Sequence, residues 1–80
     1  MSLLNADSRH PSVASLARWF DYEHITDPQA RQVSVVCARL ASEMLGRLPD
    51  GPELSAGLRK LLEAKDCFVR AAIAGEYHGG

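Results

Sequence analysis

Residues able to do covalent or acid–base chemistry are few and scattered in this chain. The three histidines, His10, His24 and His78, fall in an expected leader, a connector and an expected tail. No Ser, Thr or Cys has both a base and a group to orient that base at helical spacing. Glu63 and Asp66 lie three apart among Arg59, Lys60 and Arg70, which reads as a solvated face of ion pairs rather than an acid–base pair. Cys37 and Cys67 have no second cysteine or histidine at ligand distance along the chain, so no zinc spacing exists. Gly51 is turn chemistry and Gly57 belongs to a helical pattern, which leaves no glycine loop to cradle a phosphate. The expectation is a protein that is not an enzyme and uses no cofactor or metal.

The chemistry that remains is binding. Trp19, Phe20 and Tyr22 concentrate the aromatic residues within four positions. Phe20 continues an apolar face, so Trp19 and Tyr22 point elsewhere, either as a lid or subunit contact or as a stacking surface for a flat ligand such as a nucleobase. Basic partners for such a ligand would come from Arg31, Arg39, Lys60 or Lys65, or from another chain. Lys65 interrupts an apolar face between Leu61 and Phe68. Either its stem covers the core edge while its ammonium reaches water, or the ammonium holds an anion at a subunit junction.

The elements that must position these residues are helices joined at Leu48-Pro49-Asp50-Gly51-Pro52-Glu53, a stretch that cannot continue a helix. Upstream, Val33, Val36, Cys37, Leu40, Ala41, Met44, Leu45 and Leu48 recur at helical spacing; downstream, Leu54, Leu58, Leu61, Leu62, Phe68, Val69, Ala72 and Ile73 do the same. The pattern predicts an antiparallel hairpin of helices over 27–48 and 52–74, preceded by a short helix over 12–20. Counting from the turn pairs Leu48 with Leu54, Met44 with Leu58, Leu40 with Leu61, the Cys37 level with Ala64 and Lys65, and Val33 with Phe68. Thr26 or Asp27 caps the first long helix, with Pro28 at its first position in the second case; Asp50 caps the second long helix by accepting from Glu53, and Gly75 stops it. Residues 1–11 form a loose leader, 12–75 the hairpin domain and 76–80 a tail.

Eighty residues form one domain of the all-α class, too small to bury a generous core, so homo-oligomerisation is expected to complete the fold. Nine Lys and Arg against ten Asp and Glu give a net charge of −1, which offers no long-range attraction for duplex DNA or RNA. No stretch approaches the roughly 18 apolar residues of a membrane span, and no basic-then-apolar leader opens the chain. The two cysteines read as free thiols of a reducing, cytoplasmic setting.

Phe20-Asp21-Tyr22, the Thr26-Asp27-Pro28-Gln29 helix start, the Leu48–Glu53 turn, and Leu58-Arg59-Lys60-Leu61-Leu62-Glu63-Ala64-Lys65-Asp66 with Arg70-Ala71-Ala72-Ile73 together resemble the small helical-hairpin-domain proteins of bacteriophages, above all a subgroup from phages of actinobacteria. The resemblance spans roughly residues 18 to 74. It implies counter-defence in the host cytoplasm. Relatives of that kind are sponges that sequester cyclic di- and trinucleotide signals of the CBASS antiviral system, and the same hairpin occurs in an anti-Thoeris sponge for a cyclic ADP-ribose signal. They are dimer-based homo-oligomers, often hexamers, that hold ligand between subunits. Stacking on a base would fall to Tyr22 or Phe20, and Lys60 matches the pattern of the second long helix. Two departures stand out: Cys37 occupies the place of a basic residue expected to meet phosphate, and Tyr22-Glu23-His24 lacks the prolines that follow the aromatic pair. The competing expectation is a small oligomeric interaction protein that occupies a host or phage protein and binds no nucleotide.

Overall fold

The computed structural model describes residues 9–78. Over that span the chain is all-helical, with α1 at Pro11–Ala17, α2 at Pro28–Arg47 and α3 at Pro52–His78, and a single 3₁₀ turn, Arg18–Phe20, closing α1. Proline opens each helix at a position where a missing N–H costs nothing. Asp27, not Thr26, caps α2: its Oδ1 accepts from the Ala30 N–H at 2.8 Å. The chain leaves the 3₁₀ turn at Asp21 in an extended conformation, φ −65° and ψ 144°, and a turn closed by Ile25 N–H on the Tyr22 carbonyl at 3.1 Å carries it towards α2.

Three expected boundaries shift. The short helix is α only to Ala17, because its last three residues tighten into 3₁₀ before the exit. Gly75 does not end α3, which continues to His78; with no proline beyond it, a glycine lowers helix propensity by only about 1 kcal/mol and need not act as a stop. Arg9 and His10 are not loose leader, while residues 1–8 and 79–80 lie outside the described span. The Arg9 Nε donates to Asp50 Oδ1 at 2.6 Å, and its terminal nitrogens donate to the Leu45 and Leu48 carbonyls at 2.6 and 2.9 Å. The His10 N–H donates to Asp50 Oδ2 at 2.8 Å. Asp50 therefore does not cap α3 through Glu53, as expected; both of its oxygens clasp the start of α1 to the hairpin turn, and α3 opens with the Ser55 N–H on the Gly51 carbonyl at 3.1 Å. The guanidinium meanwhile covers carbonyls that the end of α2 would otherwise leave unpaired.

The core is built where α1 lies on the hairpin. Val13, Ala17 and Phe20 from α1 and its 3₁₀ turn meet Ala38, Ala41 and Leu45 of α2 and Leu54 and Leu58 of α3. On α2 the buried stripe is Ala30, Ser34, Cys37, Ala38, Ala41 and Leu45, displaced from the stripe the sequence pattern emphasises. The small side chains of that stripe leave room for Phe20 and Val13, the bulkiest fully enclosed groups alongside Leu58. The pairing counted from the turn places Leu40 and Leu48 inside the hairpin, yet they are 47% and 44% exposed, and Phe68 is 53% exposed. At its middle level, Cys37 and Lys65 are both buried.

Candidate functional site

The 3₁₀ turn ends with carbonyls that no following helical turn can pair, because Asp21 is already extended. Lys65 supplies the donor: its Nζ donates to the Trp19 carbonyl at 2.9 Å, and the residue is only 8% exposed. Against the expectation of an ammonium reaching water, the residue is buried and its Nζ is engaged by a backbone carbonyl of its own chain. A cation at the end of a helical turn is favourably placed against the turn's partial negative charge, and here it fixes the backbone that presents Trp19, Phe20 and Tyr22.

Those three aromatics face different ways. Phe20 is 1% exposed in the core, so it cannot stack on a ligand. Trp19 is 70% exposed. Tyr22 is half-buried against the core edge, and the guanidinium carbon of Arg31 sits 5.8 Å from its ring centroid, a cation–π contact of about 0.5–1 kcal/mol at an exposed site. Arg31 also lines a surface hollow of about 430 Å³ with Thr26, Gln32, Val35, Val36 and Arg39. Arg31 and Arg39 stand eight residues apart, slightly more than two turns, so both side chains reach one side of α2.

Of the residues singled out from sequence, half-buried Tyr22 touches Arg31, and Arg31 lines one hollow with Arg39, a strip of one aromatic ring and two exposed arginines. Lys60 is exposed on α3, a different element. Cys37 is buried, and burial raises its thiol pKa above the ordinary value while the nearby Lys65 charge opposes the rise. It cannot contact phosphate from that position. Next to this region Ser34 Oγ and Asp21 Oδ1 are enclosed and have no protein partner.

Sequence spacing gave no sign of a second polar arrangement at the other end of the hairpin. His10 Nδ1 lies 3.0 Å from Ser12 Oγ, which lies 3.1 Å from Ser55 Oγ. The same Nδ1 accepts from the Ser12 N–H at 3.2 Å and so caps α1. Asp50 binds the backbone of His10, not its ring, so the imidazole has no carboxylate to orient it for proton transfer. Its physical role is capping.

Among the described residues no group of three or more His, Cys, Asp or Glu could hold a metal ion, and no helix is long and apolar enough to cross a membrane. No family model matches the chain, and neither a curated protein nor a solved structure does.

Proposed function

We propose that this chain is a non-catalytic, homo-oligomeric sponge that sequesters a small cyclic nucleotide signal, the role implied by its resemblance to phage counter-defence hairpin proteins. The observation that carries the reading is the Tyr22–Arg31–Arg39 strip: an aromatic ring beside two guanidinium groups suits a molecule that pairs a flat base with anionic phosphates. Arg31 and Arg39 take over, from the outer side of α2, the phosphate-neutralising task that buried Cys37 cannot perform. Lys65 acts behind the site by holding the Trp19 carbonyl, and Phe20 anchors the turn from the core.

Calorimetry against a panel of cyclic di- and trinucleotides tests this. Binding is expected with at least one member, and Tyr22→Ala or Arg31→Ala weakens it roughly 5- to 150-fold, from a stacking or charge-assisted contact of about 1–3 kcal/mol. Absence of heat with every member would overturn the proposal.

One observation favours a second reading, an interaction protein for a host or phage partner. The hairpin carries an open apolar groove of about 510 Å³ lined by Leu40, Met44, Leu48, Gly57 and Leu61, and exposed apolar surface of that kind marks association sites.

A further inference from the structure

We infer that the hollow between the start of α1 and the first turns of α3 is a binding site for a terminal phosphate group. None of its residues belongs to the Tyr22–Arg31–Arg39 strip, so the inference stands apart from the sponge reading.

Residues far apart in the sequence meet there. Pro52, Ser55 and Arg59 fall at i, i+3 and i+7 on one face of α3, and with His10, Ser12 and the turn residues Asp50 and Gly51 they wall a hollow of about 520 Å³. The hydroxyl oxygens of Ser12 and Ser55 lie 3.1 Å apart, and each hydroxyl can rotate its hydrogen towards its neighbour or towards a guest. His10 uses one ring nitrogen in capping α1, where Nδ1 accepts from the Ser12 N–H at 3.2 Å. The ring proton then sits on Nε2, a further donor at the same hollow.

The charge left over at this place is positive. Asp50 is the carboxylate among the lining residues, and it is already committed: Oδ1 accepts from Arg9, Oδ2 accepts from the His10 N–H, and the Arg9 guanidinium balances its charge. Arg59 is exposed and takes part in no ion pair among the described residues, where the pairs are Arg9 with Asp50 and Arg47 with Glu43. A free guanidinium, an imidazole N–H and a hydroxyl pair supply donors of the kind that the three free oxygens of a terminal phosphate accept from. The diester phosphate of a cyclic nucleotide has only two such oxygens, which sets this ligand apart from the one proposed for the strip. The volume is that of a small-molecule site rather than of a bare ion, and Gly51 and Pro52 offer an uncharged wall to the organic part of a phosphate ester.

The test uses the full chain, isotopically labelled for NMR and titrated at constant ionic strength with inorganic phosphate, ethyl phosphate and diethyl phosphate. The expected result is a saturating shift of the Arg59 Nε signal and of the Ser12, Gly51 and Ser55 amides with inorganic phosphate, ethyl phosphate or both. Whichever of the two binds more tightly tells whether the site serves free phosphate or an ester, and diethyl phosphate should bind more weakly than either. Arg59→Ala, a change at an exposed position whose fold the same spectra report, should weaken binding about tenfold through loss of one charge-assisted contact. Arg31→Ala, on the strip, should leave it unchanged. The inference is overturned by the absence of saturation with both phosphates, by an equal response to sodium chloride, by diethyl phosphate binding as tightly, or by undiminished binding in Arg59→Ala.

Discussion

At the scale of single residues, the most consequential side chain is the one that breaks the apolar pattern. Lys65 was legible as an anomaly because a lysine stood where leucine spacing called for an apolar residue. Its partner was not legible, since a backbone carbonyl 46 positions away leaves no trace in side-chain types. Lys65→Ala removes a part-buried, charge-assisted bond to the Trp19 carbonyl, so it should destabilise the fold by about 1.5–3 kcal/mol in denaturant unfolding. Lys65→Arg should lose less, because it keeps a cationic donor. The cysteines separate in the same way. Cys67 is exposed and lies 3.4 Å from an Arg70 nitrogen, whereas Cys37 is buried and its pKa raised by that burial. Since the thiolate is the reactive form, iodoacetamide at neutral pH should add one label, at Cys67, and reach Cys37 only after denaturation, as peptide mass analysis will show.

At the scale of elements, periodicity identified the helices and the turn, but not which side of α2 faces inward. The apolar arc on α2 is wider than one contact can cover, and the sequence pattern puts Leu40 inward where the fold buries Ala38 instead. The choice is made by α1 and its 3₁₀ turn, whose Val13 and Phe20 need the small residues. The Asp50 clasp was missed for a similar reason: an aspartate before a helix signals a cap, and only the fold brings Arg9 to it. The His10 N–H first, and then Arg9, hold the Asp50 pKa below its ordinary 3.8. A carboxylate with a lowered folded pKa adds stability that is present above the unfolded value and lost as pH falls through the folded one. Melting temperature should therefore drop on acidification below about pH 4, and Asp50→Asn should flatten that part of the profile while lowering stability at neutral pH.

At the scale of the whole molecule, the contrast is between one well-covered face and one bare face. The side of the hairpin under α1 is closed, clasped by Arg9 and Asp50 and anchored by Lys65, whereas the other side exposes Val36, Leu40, Leu48 and Phe68. Under the proposed function, covering that side would supply burial that a chain of this size lacks. Arg31 and Arg39, with Tyr22 the residues of the proposed ligand contact, line a hollow on α2, and exposed Val36 lines it too. An assembled oligomer would bring strips from neighbouring chains towards one ligand. Native mass spectrometry with a cyclic dinucleotide tests this account most directly, because it reads assembly and ligand in one spectrum. The account predicts ions at multiples of 8.7 kDa that carry intact nucleotide, with the nucleotide lost from Arg31→Ala while the assembly remains. Bare 8.7 kDa ions that take up no nucleotide would contradict it.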